Sequence, residues 1–162
     1  MNNLNLQNST TAAQRLARAI MVASGEFSLI LACCDSVSQQ QQIVKSLKEC
    51  SKVTIKEIRL LPTDETLYTT ITNTISIPHT EALIVDGLES VLAINQLLIS
   101  TNLMRDEFRK SFHFPMVLFV NNDILSKLVW LAPDLKNWAA TTIRFDVAHD
   151  VLEGRRQTVK NL

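Results

Sequence analysis

A three-layer α/β/α sandwich around a mainly parallel five-stranded sheet is the fold this sequence predicts, and three observations predict it. Apolar runs of strand length alternate five times with segments of helical periodicity, the pattern of a parallel sheet covered by helices. FSLILAC at 27–33 and MVLFV at 116–120 carry no charged residue, as strands buried on both faces require. A hydrophobic content of 46% with 20% charged residues, in 162 residues, suits one domain with a filled core. The expected organisation is an N-terminal helix over 1–25, an α/β domain over 26–147, and a C-terminal helix or linker over 148–162.

The elements follow in order. TTAAQRLARAIMVA is amphipathic, with Leu16, Ala19, Ile20 and Ala23 at helical spacing, and Ser24-Gly25-Glu26 breaks it. After the 27–33 strand, Ser36 is placed to cap a helix through Lys48 whose inner face is Ile43, Val44 and Leu47. VTIKEIRLL, 53–61, alternates as a strand near a sheet edge does, and Pro62 ends it. Thr63 or Asp64 then starts a helix across Leu67, Ile71 and Ile75. ALIVD is the third strand, and residues 88–112 read as one long helix. Phe114-Pro115 punctuates before MVLFV. Asn121 to Asp123 offer a cap to a short helix, Pro133-Asp134 begins another, and TTIRFD, 141–146, is the fifth strand. The tail reads as a last helix interrupted at Gly154.

Bulk properties exclude several classes. Sixteen basic and sixteen acidic residues cancel, so no strong field draws the chain to nucleic acid or to an anionic membrane. The polar N-terminus lacks a signal-peptide core, and no apolar run approaches the roughly 20 residues that span a bilayer. Cys33, Cys34 and Cys50 have neither C-x-x-C spacing nor an even count. They read as buried thiols of a cytoplasmic protein. His79, His113 and His149 lack neighbouring ligands at zinc spacing. No G-x-S-x-G elbow supports serine hydrolase chemistry.

Ligands of such sheets bind beyond the carboxyl ends of the strands, which directs attention to Cys34–Gln41, Asp86–Glu89 and Asn121–Asp123. ALIVDGLES, 82–90, delivers Asp86 from a buried strand, as a magnesium-binding acid is delivered in many ATPases. A phosphate loop would need G-x-x-x-x-G-K-[ST] after the first strand, so that backbone N–H groups and a lysine surround the phosphates. On that spacing Cys34 and Gln39 replace the glycines, Gln40 the lysine and Gln41 the hydroxyl residue. Asp35 adds a carboxylate; at about 4 Å and an effective dielectric of about 20 it would oppose a phosphate charge by roughly 4 kcal/mol. The helix start at Ser36–Gln41 retains free N–H groups for weak anion binding. The structural reading of Asp86 is a helix cap or a turn closure, and that of Glu89 is a charge on a first helical turn.

The run from Asn102 to Phe145 resembles the ATPase domain of the signal-transducing ATPases with numerous domains, the NACHT-like P-loop class. In bacteria such domains often precede tetratricopeptide or other repeats. Arg105-Asp106, MVLFV, Ala132-Pro133-Asp134 with Trp138, and Thr142 to Phe145 carry the resemblance, which covers about residues 10–147. It implies a P-loop NTPase-like fold of the RecA/AAA-like kind. It also implies Asp86 as the magnesium acid, Glu89 as the catalytic acid, and Asn121 as a polar sensor. Ser36, Gln40 and Gln41 complete the nucleotide-binding candidates. No cofactor is expected with the altered loop; ATP and magnesium are the candidates if the site survives. A protein partner or covalently following domains is expected.

The leading expectation is thus a non-catalytic P-loop-like domain acting as a regulatory or protein-interaction module. The alternative is a weak ATPase, an ATP-dependent signalling switch with an unorthodox phosphate loop. A response-regulator receiver is a rival five-stranded fold, with acids near Asp35 and Asp86, but it wants a lysine after the fifth strand where this chain has Arg144 within it. Trp130 and Trp138 read as packing residues, and Arg105, Arg109, Lys110, Asp106 and Glu107 as a solvated helix face with (i, i+4) pairs. Arg155, Arg156 and Lys160 read as a solvated helix end.

Overall fold

The computed structural model describes the backbone of residues 3–145 and the side chains of residues 11–145. The readings at His149, Gly154, Arg155, Arg156 and Lys160, and the 148–162 segment, lie outside the described residues. Five strands form one sheet: β1 (Ser28–Cys33), β2 (Ile55–Arg59), β3 (Ala82–Asp86), β4 (Pro115–Val120) and β5 (Ala139–Arg144). Every pairing is parallel, and the order across the sheet is β2-β3-β4-β1-β5. A receiver has its first strand beside the second, in the order 2-1-3-4-5, so this topology excludes that rival.

Two helices, α1 (Asn3–Val22) and α2 (Val37–Cys50), cover one face. Leu16, Ile20, Ile43, Val44 and Leu47 pack there on Ile30, Ile84, Val117 and Phe119. The other face carries α3 (Leu67–Thr74), α4 (Ile94–Leu103), α5 (Arg105–Ser111), α6 (Asn122–Leu131) and α7 (Pro133–Trp138). Its core is built on Phe108, Phe112 and Phe114 with Leu83, Val85, Met116 and Leu118. Tyr68 and the three phenylalanines form a chain of ring contacts with centroids 5.3–5.5 Å apart. The central strands β3 and β4 are buried at every position, while β2 and β5 close the sheet as edges.

Several element boundaries differ from expectation. The 88–112 helix is three pieces: a 3-10 turn at Leu88–Ser90, then α4, then α5, with the break at Met104. Leu92 N–H donates to Pro62 O at 3.1 Å, which diverts the intervening backbone toward the end of β2. The third helix begins at Leu67, because Asp64 instead closes a turn by accepting from Leu61 N–H at 2.6 Å. Strand β2 pairs only over Ile55–Arg59, and β5 starts two residues early, at Ala139. Cys33 and Cys34 are buried as expected, whereas Cys50, at the end of α2, is exposed. Trp130 is 81% exposed rather than packed.

Candidate functional site

The chain leaves β1 toward the α1/α2 face and β4 toward the opposite face. These strands are neighbours, with Cys33 beside Val120. Their carboxyl ends therefore flank the topological switch point, where open α/β sheets place ligands. The predicted Ser36 cap is present: its Oγ accepts from Gln39 N–H at 3.3 Å and starts α2. Across the switch point Asn121 caps α6, its Oδ1 accepting from Ile124 N–H at 2.8 Å. Asp35 bridges the two loops. Its carboxylate accepts from Asn122 N–H at 3.0 Å and from Asn122 Nδ2 at 2.8 Å. Cys34 Sγ lies 3.3 Å from Ser36 O and 3.4 Å from Gln39 Oε1. The start of α6 is thus engaged by Asp35 from the loop before α2, and each helix is also capped by its own loop residue, Ser36 or Asn121.

Two spaces remain. Cys34, Asp35, Val37, Gln40, Glu89 and Asn121 surround about 40 Å³ at the switch point, room for a few water molecules. Ordinary ligand pockets hold about 300–1,000 Å³. A wider cleft of about 500 Å³ opens beside it, between α2 and β2, lined by Gln40, Gln41, Val44, Lys45, Lys48, Glu57, Arg59 and Asp86. Gln40 borders both. The sequence-derived residues therefore divide. Glu89 and Asn121 face the small space, Asp86 and Gln41 the large one, and Ser36 borders neither.

Asp86 is 8% exposed and neither caps a helix nor closes a turn with its side chain, contrary to its structural reading. It pairs with Arg59, its neighbour in the β2–β3 register, through Arg59 Nε at 3.2 Å. Gly87 forms the turn instead, with φ of +84°. A Cβ there would meet Leu60 O at 2.9 Å, while Leu60 N–H donates to Asp86 O at 2.9 Å. Sequence reading missed Arg59, Lys45 and Lys48, and it placed Asn122 only within the Asn121–Asp123 run, without its tie to Asp35. A signal for Arg59 was legible: it shares the period-2 face of β2 with Ile55, a face that should turn inward.

The solvated-face expectation for α5 also needs correction. Arg105 is partly buried. It bonds Asn102 O, lies 3.5 Å from Asp134, and sits 5.4 Å from the Trp138 ring centre. Arg109 stacks closer on the same ring, at 4.3 Å. Lys110 pairs with Glu107 at (i, i+3) spacing.

No protein-family model matches the chain, and no curated protein matches it significantly in sequence. Solved structures do match in shape. The Aeropyrum pernix ORC2 protein, solved in ADPNP-ADP complexes, superposes with a TM-score of 0.54 at 13% identity, covering 82% of this chain. The fold is P-loop NTPase-like. The ADP form of the same protein gives a TM-score of 0.49 at 14% identity over 85% of this chain, and the Aeropyrum pernix ORC1 protein in complex with DNA gives 0.47 at 15% over 91%. The chain spans about half the length of these structures, covering 46%, 47% and 49% of them respectively.

Proposed function

We propose that this chain is a non-catalytic P-loop NTPase-like domain, of the STAND/NACHT-like kind its sequence resembles, acting as a regulatory or protein-interaction module. One observation carries the reading. The loops that would cradle a triphosphate are cross-linked by Asp35 and Asn122, and they enclose about 40 Å³. Gln40 stands where the phosphate-binding lysine would be, and Asp35 brings a negative charge to the same place. The residues present do not suit magnesium either. Asp86 already has a guanidinium beside it, which repels a dication. Among the described residues no three of His, Cys, Asp and Glu gather to hold a metal ion.

Exposed apolar side chains support a protein partner or a following domain. Leu92, Leu103, Val129 and Trp130 are each at least half exposed, on or beside α4 and α6. Among the described residues no helix is long and apolar enough to cross a membrane. The alternative, an ATP-dependent switch, draws on Asp86, Gln40 and Gln41 sharing the larger cleft.

Thermal unfolding with magnesium and ATP, ADP or neither separates the two. A ligand at 100 times its dissociation constant adds about 2.7 kcal/mol, a shift of several degrees for a chain of this size. No magnesium-dependent shift and no ATP turnover are expected. A magnesium-dependent shift, or turnover abolished by Glu89→Gln, overturns the reading in favour of the switch.

A further inference from the structure

We propose that the cleft between α2 and β2 binds a small phosphorylated molecule without magnesium. The inference is independent of the regulatory reading above, because it concerns a space beside the switch point and not the loops that close it.

The cleft exists because one strand breaks the pattern of its face. Ile55, Glu57 and Arg59 of β2 lie beside Ala82, Ile84 and Asp86 of β3 in register. Ile55, Ala82 and Ile84 belong to the apolar layer beneath α1 and α2. From Glu57 onward the row becomes charged, and α2 answers with Lys45 and Lys48 from above. Charges placed under a helix are costly unless paired, and both carboxylates are paired. Glu57 meets Lys48, and Asp86 meets Arg59.

Three donor groups are left over, all bordering the same space. Lys45 has no acceptor among the described residues. Arg59 uses only Nε, so its two terminal nitrogens are free of protein acceptors, and its side chain is 60% exposed toward the opening. Gln40 is 6% exposed, yet its carboxamide makes no hydrogen bond among the described residues. The carboxamide is open to the cleft, where it can bond water or a cleft-bound partner.

The donor set selects the ligand. Three cations face two carboxylates, leaving a positive excess that repels metal ions and attracts anions. The unused fork of a guanidinium matches two oxygens of a tetrahedral phosphate, and Lys45 adds a point charge to a third. Gln40 is placed for a polar group of the esterified part. A volume of about 500 Å³ accommodates such a molecule.

The test uses the full chain with a metal chelator present, at constant ionic strength so that screening does not vary. Inorganic phosphate, pyrophosphate and succinate are titrated by calorimetry and thermal unfolding. Saturable binding of phosphate or pyrophosphate is expected, weakened about tenfold by Lys45→Ala and by Arg59→Lys, which keeps the charge and loses the fork. Gln40→Leu weakens a phosphomonoester such as glycerol phosphate more than it weakens phosphate itself. Glu89→Gln changes nothing. Absence of saturable binding, equal binding by Lys45→Ala and the unmodified chain, or succinate binding as tightly as phosphate overturns the proposal. Failure here leaves the magnesium-dependent ATP test untouched, whereas a magnesium-dependent ATP effect that is lost in Asp86→Ala would place a metal in this cleft and overturn the metal-free proposal.

Discussion

Two glycines with nearly the same backbone angle carry different constraints. Gly25 has φ of +86° with no atom within 4 Å of where a Cβ would sit, while Gly87 has φ of +84° with the Leu60 backbone at 2.9 Å. Gly25→Ala should cost about 1–2 kcal/mol, the left-handed penalty alone. Gly87→Ala should cost clearly more, because backbone and not a flexible side chain blocks it. Urea midpoints of the two variants measure the difference, and equal values would remove the steric account. Asp35 makes the complementary case. Its contacts to Asn122 tie two loops at an exposed position, so Asp35→Ala should lose about 1 kcal/mol. A stability gain on that substitution would mean that its carboxylate is held there against electrostatic preference.

At the scale of elements, the break between α4 and α5 is where the molecule departs furthest from a simple reading. Arg105 follows the break directly and returns to Asn102 O, while Asn102 Oδ1 accepts from Leu135 N–H at 2.8 Å at the start of α7. Trp138 closes α7 beneath two guanidinium groups. The α5–α7 contact therefore includes an ion pair and two cation–π contacts. A double-mutant cycle between Arg109→Ala and Trp138→Leu should give a coupling of about 0.5–1 kcal/mol, as expected of a partly exposed cation–π pair. Zero coupling would make Trp138 a packing residue only. Strand β2 shows a second element-level device. As an edge it carries Lys56, Glu57 and Arg59, charges that discourage pairing with another sheet.

Across the whole molecule, the aromatic rings are shared unequally between the two faces. The face beneath α3 to α7 holds every ring of the aromatic chain, and Phe112 sits at its middle, touching Tyr68, Phe108 and Phe114. Phe112→Ala should cost about 3–5 kcal/mol, a large share of the roughly 5–15 kcal/mol of a typical domain. Trp130→Ser, at an 81% exposed position, should stay within about 0.5 kcal/mol. Denaturant unfolding of both checks the contrast; a destabilised Trp130→Ser would show that this ring packs in solution.

The sequence by itself determined the class of fold, the identity of the buried strands and two of the helix caps. FSLILAC, ALIVD and MVLFV are short, mainly apolar runs, and alternating with helical segments they fit a parallel sheet covered on both sides. Ser36 and Asn121 were legible because capping is a local interaction over three residues. Tertiary structure alone decided the strand order, the split of residues 88–112, and the fates of Asp35 and Asp86. Periodicity reports which side of an element is apolar and is silent about which elements lie side by side. The partner of Asp86 is Arg59, 27 residues away, and that of Asp35 is Asn122, 87 residues away. Such pairs exist only once β2 lies beside β3 and β4 beside β1, and that arrangement is a property of packing the whole chain.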